Sequence, residues 1–295
     1  MATVSLVLGS GGARGYAHIG VIEVLEEHGY TINCVAGSSM GALVGGLYAA
    51  GALEDYADWV KTLNRFNVLA MLDITFKMGA IRGDKLFSKL REIAGDPNIE
   101  SLPIPFTAVA TDLVHHKEIW FQRGSLQDAI RASIAVPGVF TPVEENRRVL
   151  VDGGILNPLP IVATVAAHSD LIIAVDLNGQ GDLPDFEVPQ PSCPILATDG
   201  PHYDAQVLRE LEADKEALRQ SKLDGNIDIL MGAIEVMQGA LSQYKVAGYP
   251  PDLLISVPTD TCRFHDFHMA TEVIAVGRQV AEAALVKLEN QSLSR

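Results

Sequence analysis

The sequence predicts an α/β fold in which helices cover both faces of a mainly parallel central sheet, giving three layers. Short β-branched and apolar runs alternate with longer segments of helical periodicity, as strands joined by crossover helices do. The first of these runs leads straight into a glycine-rich turn. With 295 residues and 48% hydrophobic content, the chain could form one large domain or two smaller ones. We favour a single domain over 1–295, with a helical C-terminal portion from about 202 to 295.

Seven runs have the length and composition of strands. They are Val4–Leu8, Cys34–Ala36, Phe106–Ala110, Glu118–Phe121 near an edge, Val149–Val151, Leu171–Val175 and Leu253–Val257. Helical patterns occupy the segments between them. These are Ala17–His28, Met40–Ala50, Leu53–Leu63, Asp84–Ala94, Ser125–Ser133, Ile161–Ala167, Asp204–Lys222, Ile227–Ala247 and Thr271–Leu288. The first two helices should end at Gly29 and Gly51, since a glycine there can adopt the left-handed C-cap conformation.

Three further segments carry less regular patterns. Residues 64–79 mix apolar and basic side chains, which fits an insertion covering a cleft and a loop packed on the core equally well. Residues 179–194 are rich in Pro, Gly, Asp and Gln and are interpreted as a loop. Residues 227–247 have one apolar face, which could contact a membrane, a partner or the protein's own core.

Composition excludes several classes of protein. The 22 Lys and Arg against 37 Asp and Glu give a formal net charge of -15, which repels nucleic acid and anionic lipid surfaces. Cys34, Cys193 and Cys262 are odd in number and far apart, so they indicate neither a disulfide framework nor a CxxC metal site. With no signal-peptide pattern and no apolar stretch of about 20 residues, we expect a cytoplasmic protein whose contact with lipid, if any, is peripheral.

The strongest candidate nucleophile is Ser39, at the centre of Gly37-Ser38-Ser39-Met40-Gly41. An apolar run ends in this G-x-S-x-G motif and a helical pattern begins directly after it, which is the context of a nucleophile elbow. Gly37 and Gly41 permit close backbone approach, and the positive end of the following helix would point at a developing oxyanion. Alone, the pentapeptide is weak evidence, because a chain with 26 glycines can contain it as an ordinary capping turn.

A second glycine-rich turn, Gly9 to Gly15, joins the first predicted strand to the first helix. It does not fit a dinucleotide-binding fingerprint, because the third glycine of G-x-G-x-x-G would fall on Arg14, and it is not a P-loop. Its exposed backbone N–H groups, beside the Arg14 guanidinium, suit an oxyanion hole. We therefore predict that the oxyanion hole comprises Gly11, Gly12, Ala13, Arg14 and Gly15. A tight turn with a solvated Arg14 is the simpler alternative.

The best candidate base is Asp152, which precedes Gly153 and Gly154 at the end of a strand that we expect to be parallel. A carboxylate of ordinary pKa is a weak base for a hydroxyl, so burial must raise its basicity or the oxyanion donors must do most of the stabilising. His265 and His268 are the most suggestive histidines, but two histidines and one acid are too few for a closed zinc site. We expect neither a metal nor a cofactor.

Taken together, the two glycine-flanked motifs and Asp152-Gly153-Gly154 resemble patatin-like phospholipases in order and context, over nearly the whole chain. Further blocks support the resemblance, namely Thr111–Leu113, Ala132–Phe140, Asn157–Pro160 and, as in compact bacterial members, Phe267–Ala270. It implies a three-layer α/β/α fold and a Ser39–Asp152 dyad that forms an acyl-enzyme on Ser39. It also implies acyl lipid or simple ester substrates. Ser10 departs from the plant members, which have glycine there.

Two rival functions remain open at this point. An acyltransferase of the malonyl-transacylase type also uses a serine elbow, but pairs it with a histidine and a carboxylate-binding arginine, and the histidine is hard to place here. A lipid-binding or regulatory protein could keep the fold with little turnover. The sequence leaves open the head group, the acyl-chain preference, the choice between phospholipase and lysophospholipase action, and the oligomeric state.

Overall fold

A computed structural model describes residues 2–71, 74–75, 80–81, 83–179 and 226–292. The predicted helix Asp204–Lys222 lies outside the described residues, as do Cys193, His202 and the predicted loop beyond residue 179.

The described chain contains ten strands and eight α-helices, numbered here in chain order. The strands are β1 (Thr3–Leu8), β2 (Thr31–Ser38), β3 (Ile74–Thr75), β4 (Ala80–Ile81), β5 (Phe106–Asp112), β6 (Lys117–Phe121), β7 (Val143–Glu145), β8 (Arg148–Asp152), β9 (Leu171–Gly179) and β10 (Leu253–Pro258). The α-helices are α1 (Ala17–Glu27), α2 (Met40–Ala49), α3 (Leu53–Lys61), α4 (Arg65–Met71), α5 (Asp84–Ala94), α6 (Leu126–Ser133), α7 (Asn226–Gly248) and α8 (Ala270–Ser292). Short 3-10 helices occupy Gly12–Tyr16, Ile99–Ser101, Gly153–Ile155 and Ile161–Ala167.

All seven predicted strands are present, each of them longer than predicted, and every predicted helix in the described part forms. Ile161–Ala167 is a 3-10 helix rather than an α-helix. Gly29 and Gly51 follow α1 and α2 with φ of 77° and 73°, which confirms the predicted helix ends. Residues 64–79 were expected to be an insertion covering a cleft or a loop packed on the core, and their described part contains α4 and β3.

The sheet has the order β10-β9-β1-β2-β5-β8-β7, with β6 paired to β5 off this path. The pairs among β10, β9, β1, β2 and β5 are parallel, which confirms the predicted mainly parallel α/β fold. The expectation that Asp152 ends a parallel strand is wrong, because β8 runs antiparallel to β5. A hairpin from β7 reverses the chain, and its two turn residues, Asn146 and Arg147, have φ of 49° and 63°.

Side chains of β1 alternate between two apolar layers. Leu6 and Leu8 are fully buried in the main core, which also contains residues of α1, α2 and α8. Val7 belongs to a separate cluster with Leu159 and Ile161, against which Val246 of α7 packs. Helices therefore cover both faces of the sheet, as a strand with both faces buried requires. Within the described ranges, no helix is both long enough and apolar enough to cross a membrane.

Candidate active site

Ser39 occupies a sharp turn between the end of β2 and the start of α2. Its φ of 55° and ψ of -125° lie in a region that residues other than glycine rarely adopt. Such a conformation costs on the order of 1–3 kcal/mol and persists only where the surroundings impose it. Ser39 is 3% exposed. The predicted nucleophile thus stands on a strained strand-to-helix elbow.

The two glycines of the pentapeptide are required by close backbone approach. A Cβ on Gly37 would lie 2.2 Å from the carbonyl oxygen of Gly41, and one on Gly41 would lie 2.0 Å from that of Leu8. Both distances are far below van der Waals contact, so any side chain would force β1, β2 and α2 apart. The absence of side chains at Gly37 and Gly41 therefore allows the elbow to pack directly against the end of β1.

Asp152 lies directly beside Ser39. The Ser39 hydroxyl donates a hydrogen bond to Asp152 Oδ2 over 2.5 Å. The other carboxylate oxygen, Oδ1, accepts the backbone N–H of Gly154 over 2.7 Å, and Asp152 caps the short helix Gly153–Ile155. Asp152 is 1% exposed, so its carboxylate interacts with these protein donors in place of bulk water.

The register of β5 explains why residues 113 positions apart meet. Ser38, at the end of β2, pairs with Val109, and Asp152, at the end of β8, pairs with the next residue, Ala110. Since β6 pairs along the opposite edge of β5, β2 and β8 share one edge and run toward each other. Ser39 and Asp152 meet at this junction, where two strand ends face each other, and not in a crevice beyond parallel strands.

Burial raises the pKa of Asp152 from 3.8 to about 7, although the hydrogen bonds from Ser39 and Gly154 act in the opposite direction. A carboxylate with a pKa near neutrality is a much stronger base than an ordinary aspartate, and at pH 7 a large fraction of it is ionised. An ordinary aspartate is too weak a base for a hydroxyl, and the burial of Asp152 raises its pKa enough to remove this difficulty.

The glycine-rich turn contacts the elbow through its glycines. Gly12 has a φ of 57° and borders the same cavity as Ser39. A Cβ on Gly15 would lie 2.4 Å from Met40 Cβ, so the turn packs tightly on the start of α2. The N–H of Ala13 donates to the Phe264 carbonyl over 2.9 Å, so it is not free to bind an oxyanion. This contact narrows the predicted set of donors.

The Arg14 side chain is not solvated, and its guanidinium already has protein partners. Its side chain is buried, and Nε donates to the Leu177 carbonyl over 3.0 Å. One terminal nitrogen lies 3.4 Å from the Cys262 carbonyl, and the other forms a 2.8 Å ion pair with Glu235 on α7. The guanidinium therefore joins β9, the segment after β10 and α7. No sequence motif pointed to Glu235, because it lies 221 residues away on a helix with no distinctive pattern at that position.

A cavity of about 90 Å³ opens beside Ser39. Apart from Ser39, Gly12 and the two tyrosines, only aliphatic, aromatic, methionine and tryptophan side chains line it. The lining residues are Gly12, Tyr16, Ser39, Met40, Leu43, Tyr56, Trp59, Leu63, Val68, Leu86, Ile134, Val136, Val139, Phe140, Phe264 and Phe267. Leu63, just before the 64–79 region, and Val68, within it, lie at the cavity wall. Such a lining suits a hydrocarbon chain.

The histidines take other roles in the described chain. His18 is fully buried and its Nε2 bonds to the Gly9 carbonyl over 2.9 Å, and burial lowers its pKa to about 4. His268 accepts a 3.1 Å hydrogen bond from Arg65 Nε, and His265 is exposed. Among the described histidines, none bonds to Ser39 or Asp152. In the same ranges, no group of His, Cys, Asp and Glu is arranged to hold a metal ion.

Comparison with known proteins identifies the family. The family model described as patatin-like phospholipase matches residues 6–165, which include the glycine-rich turn, Ser39 and Asp152. The chain belongs to the patatin-like phospholipase family. α7, β10 and α8 lie beyond the matched residues, so the Glu235 partner of Arg14 comes from outside the family model.

Relatives of this patatin-like protein extend over most of its length. An NTE family protein of Mycobacterium bovis is 43% identical and covers 97% of this chain and 92% of its own. Patatin-like phospholipase domain-containing protein 6 of mouse is 33% identical over 61% of this chain and 14% of its own length. Among solved structures, VipD from Legionella pneumophila matches with a TM-score of 0.44 and 14% identity, covering 96% of this chain and 67% of that one.

Proposed function

We propose that this protein is a serine acyl hydrolase that cleaves carboxylic ester bonds of lipids through a Ser39–Asp152 dyad. The observation that carries the proposal is the 2.5 Å hydrogen bond from the Ser39 hydroxyl to a buried carboxylate, at the wall of an apolar cavity. Membership of the patatin-like phospholipase family supports lipid hydrolysis as the reaction class.

In the proposed reaction, the Asp152 carboxylate accepts the proton of the Ser39 hydroxyl while Oγ attacks the ester carbonyl carbon. The carbonyl oxygen becomes an oxyanion, the ester C–O bond then breaks, and Asp152 returns the proton to the departing alcohol. Water hydrolyses the acyl-enzyme by the same route, with Asp152 taking one of its protons. The product acid leaves and Ser39 regains its hydrogen.

The oxyanion would be stabilised by backbone N–H groups of the glycine-rich turn and by the N-terminus of α2. Gly12 is the best-supported donor, because it borders the cavity beside Ser39 and, as a glycine, has no side chain to cover its N–H group. Gly11 is the second candidate. The contacts of Ala13 and the Arg14 side chain support a structural role for these two residues within the turn.

The cavity supports an acyl chain as the group bound beside Ser39, which fits phospholipids, lysophospholipids and simpler acyl esters alike. Peripheral contact with a lipid surface stays a prediction. A malonyl-transacylase type of mechanism has less support, because Ser39 bonds to an aspartate and the Arg14 guanidinium is already paired.

Active-site labelling tests the proposal. An alkyl fluorophosphonate should form a covalent adduct on Ser39 of the folded protein, mapped by mass spectrometry, and Ser39→Ala should abolish both the adduct and hydrolysis of p-nitrophenyl esters. Ser38→Ala is the matched control, since Ser38 is the buried neighbour and should remain dispensable for labelling. Absence of an adduct on Ser39, with no ester turnover, would favour a lipid-binding protein.

A further inference from the structure

The segment Ser133–Ala135, which ends α6 and follows it, bonds to both members of the dyad. Ser133 Oγ accepts the backbone N–H of Ser39 over 2.9 Å. Two residues later, the Ala135 carbonyl accepts the backbone N–H of Asp152 over 3.0 Å. One short stretch of chain thus fixes the backbone of the nucleophile and of the base relative to each other.

The hydroxyl of Ser133 makes two hydrogen bonds, one as donor and one as acceptor. It donates its hydrogen to the Val109 carbonyl over 2.6 Å and accepts from Ser39, so it bridges β5 to the elbow. Ser133 is fully buried, so no water replaces either partner. Of small uncharged side chains, only a hydroxyl can donate one strong hydrogen bond and accept another at the same atom. Alanine or valine at this position would lose both bonds.

The bridge matters because of the backbone conformation of Ser39. At a φ of 55° and ψ of -125° the elbow is strained, and it keeps that shape only while its contacts hold it. Loss of the Ser133 acceptor would leave the buried Ser39 N–H without a partner, and a buried donor without a partner destabilises the conformation that holds it. The elbow could relieve part of that destabilisation by rotating, which would move Ser39 Oγ away from Asp152.

We propose that Ser133 is a positioning residue for hydrolysis, acting through the Ser39 backbone to hold Oγ in line with Asp152. This inference rests on the proposed dyad, and adds to it a residue that does not touch the substrate. Ser133 does not line the cavity, whereas its neighbour Ile134 does. A change at Ser133 should therefore lower kcat and leave KM nearly unchanged, while a change at Ile134 should alter KM.

The test compares Ser133→Thr with Ser133→Val, because the two side chains have the same shape and differ only in the hydroxyl. Ser133→Ala, which adds no bulk, is measured beside them, and Ile134→Ala is the control for a substrate-binding effect. Values of kcat and KM are determined with a p-nitrophenyl ester and expressed per folded molecule, with the folded fraction obtained from thermal unfolding.

We expect Ser133→Val and Ser133→Ala to lower kcat by roughly 10- to 100-fold, because a misplacement of about 1 Å can cost 100-fold in rate. KM should stay within about twofold, and Thr should recover most of the activity that Val loses. Three outcomes would overturn the assignment. They are equal activity in Ser133→Thr and Ser133→Val, full kcat per folded molecule in Ser133→Ala, and a change confined to KM. Failure of the proposed function is distinguishable, because then the wild-type protein itself gives no turnover and no Ser39 adduct.

Discussion

Ser39 and Asp152 stand at the facing ends of β2 and β8, with 2.5 Å between the serine oxygen and the carboxylate. Their strands lie along one edge of β5, so the dyad separation is set by main-chain pairing. A serine and an aspartate held by a shared strand do not depend on a flexible loop for their alignment. The arrangement therefore supports the proposed reaction, in which the proton passes directly from Ser39 to Asp152 without a histidine between them.

Removal of the carboxylate charge should be far more damaging than removal of either late histidine. We expect Asp152→Asn to lower kcat/KM for a p-nitrophenyl ester by roughly 10³- to 10⁴-fold, since the serine loses its proton acceptor. His265→Ala and His268→Ala should retain most activity, because neither bonds to the dyad. If His268→Ala were as inactive as Asp152→Asn, a triad would have to replace the dyad.

The rate should depend on the ionisation of Asp152. Only the ionised carboxylate can accept the serine proton, so kcat/KM should rise with pH and level off above a midpoint at about 7, the value to which burial raises the Asp152 pKa. A profile of kcat/KM between pH 4 and 9, taken with an uncharged ester, measures this midpoint. A midpoint near 4 would mean that Asp152 is solvated in the working enzyme.

The same pKa shift makes stability depend on pH. Because the pKa of Asp152 is higher in the folded state than its ordinary value of 3.8, the folded protein binds the proton more tightly, and this contribution is lost as pH rises from about 4 through 7. A shift of this size corresponds to roughly 4 kcal/mol. Asp152→Asn cannot ionise, so its free energy of unfolding relative to wild type should increase between pH 5 and pH 8. Urea denaturation at both pH values checks this, and a difference independent of pH would contradict it.

Arg14 should prove important for stability. Arg14→Met keeps much of the side chain but leaves the Leu177 and Cys262 carbonyls without their donor and Glu235 without its partner. We expect a loss of about 3 kcal/mol in the free energy of unfolding, measured by urea denaturation. Arg91→Met is the control, since Arg91 is exposed and 3.7 Å from Asp96, and should change stability by less than about 0.5 kcal/mol. Equal losses in the two variants would contradict this role for Arg14.

The cavity should select for acyl-chain length. Each methylene that moves from water into an apolar site contributes about 0.8 kcal/mol, which corresponds to up to about fourfold in kcat/KM. We therefore expect kcat/KM to increase along a series of p-nitrophenyl esters from acetate upward until the chain fills the cavity. The series is measured below the micelle concentration of each ester. A flat profile would indicate that the acyl chain binds elsewhere.

Local sequence patterns predicted much of the secondary structure of this protein and the position of its elbow. The strands, the helix ends at Gly29 and Gly51 and the elbow at Ser39 follow from periodicity, from the conformational freedom of glycine and from short motifs. Such features depend on residues within a few positions of each other. The pairing of Ser39 with Asp152 was also inferred from motifs, but only because three of them occurred together in one order.

The remaining features depend on contacts between distant segments. The antiparallel course of β8 follows from its hairpin and its pairing with β5, and the burial that gives Asp152 its basicity comes from the packing around that junction. The partners of Arg14 lie at least 163 residues from it, and Ser133 lies 94 residues from Ser39. The sequence alone thus determined which residues are the candidates for the proposed chemistry. Their distances, their burial and the contacts that hold them in place were decided by tertiary packing, because these depend on the whole assembled sheet.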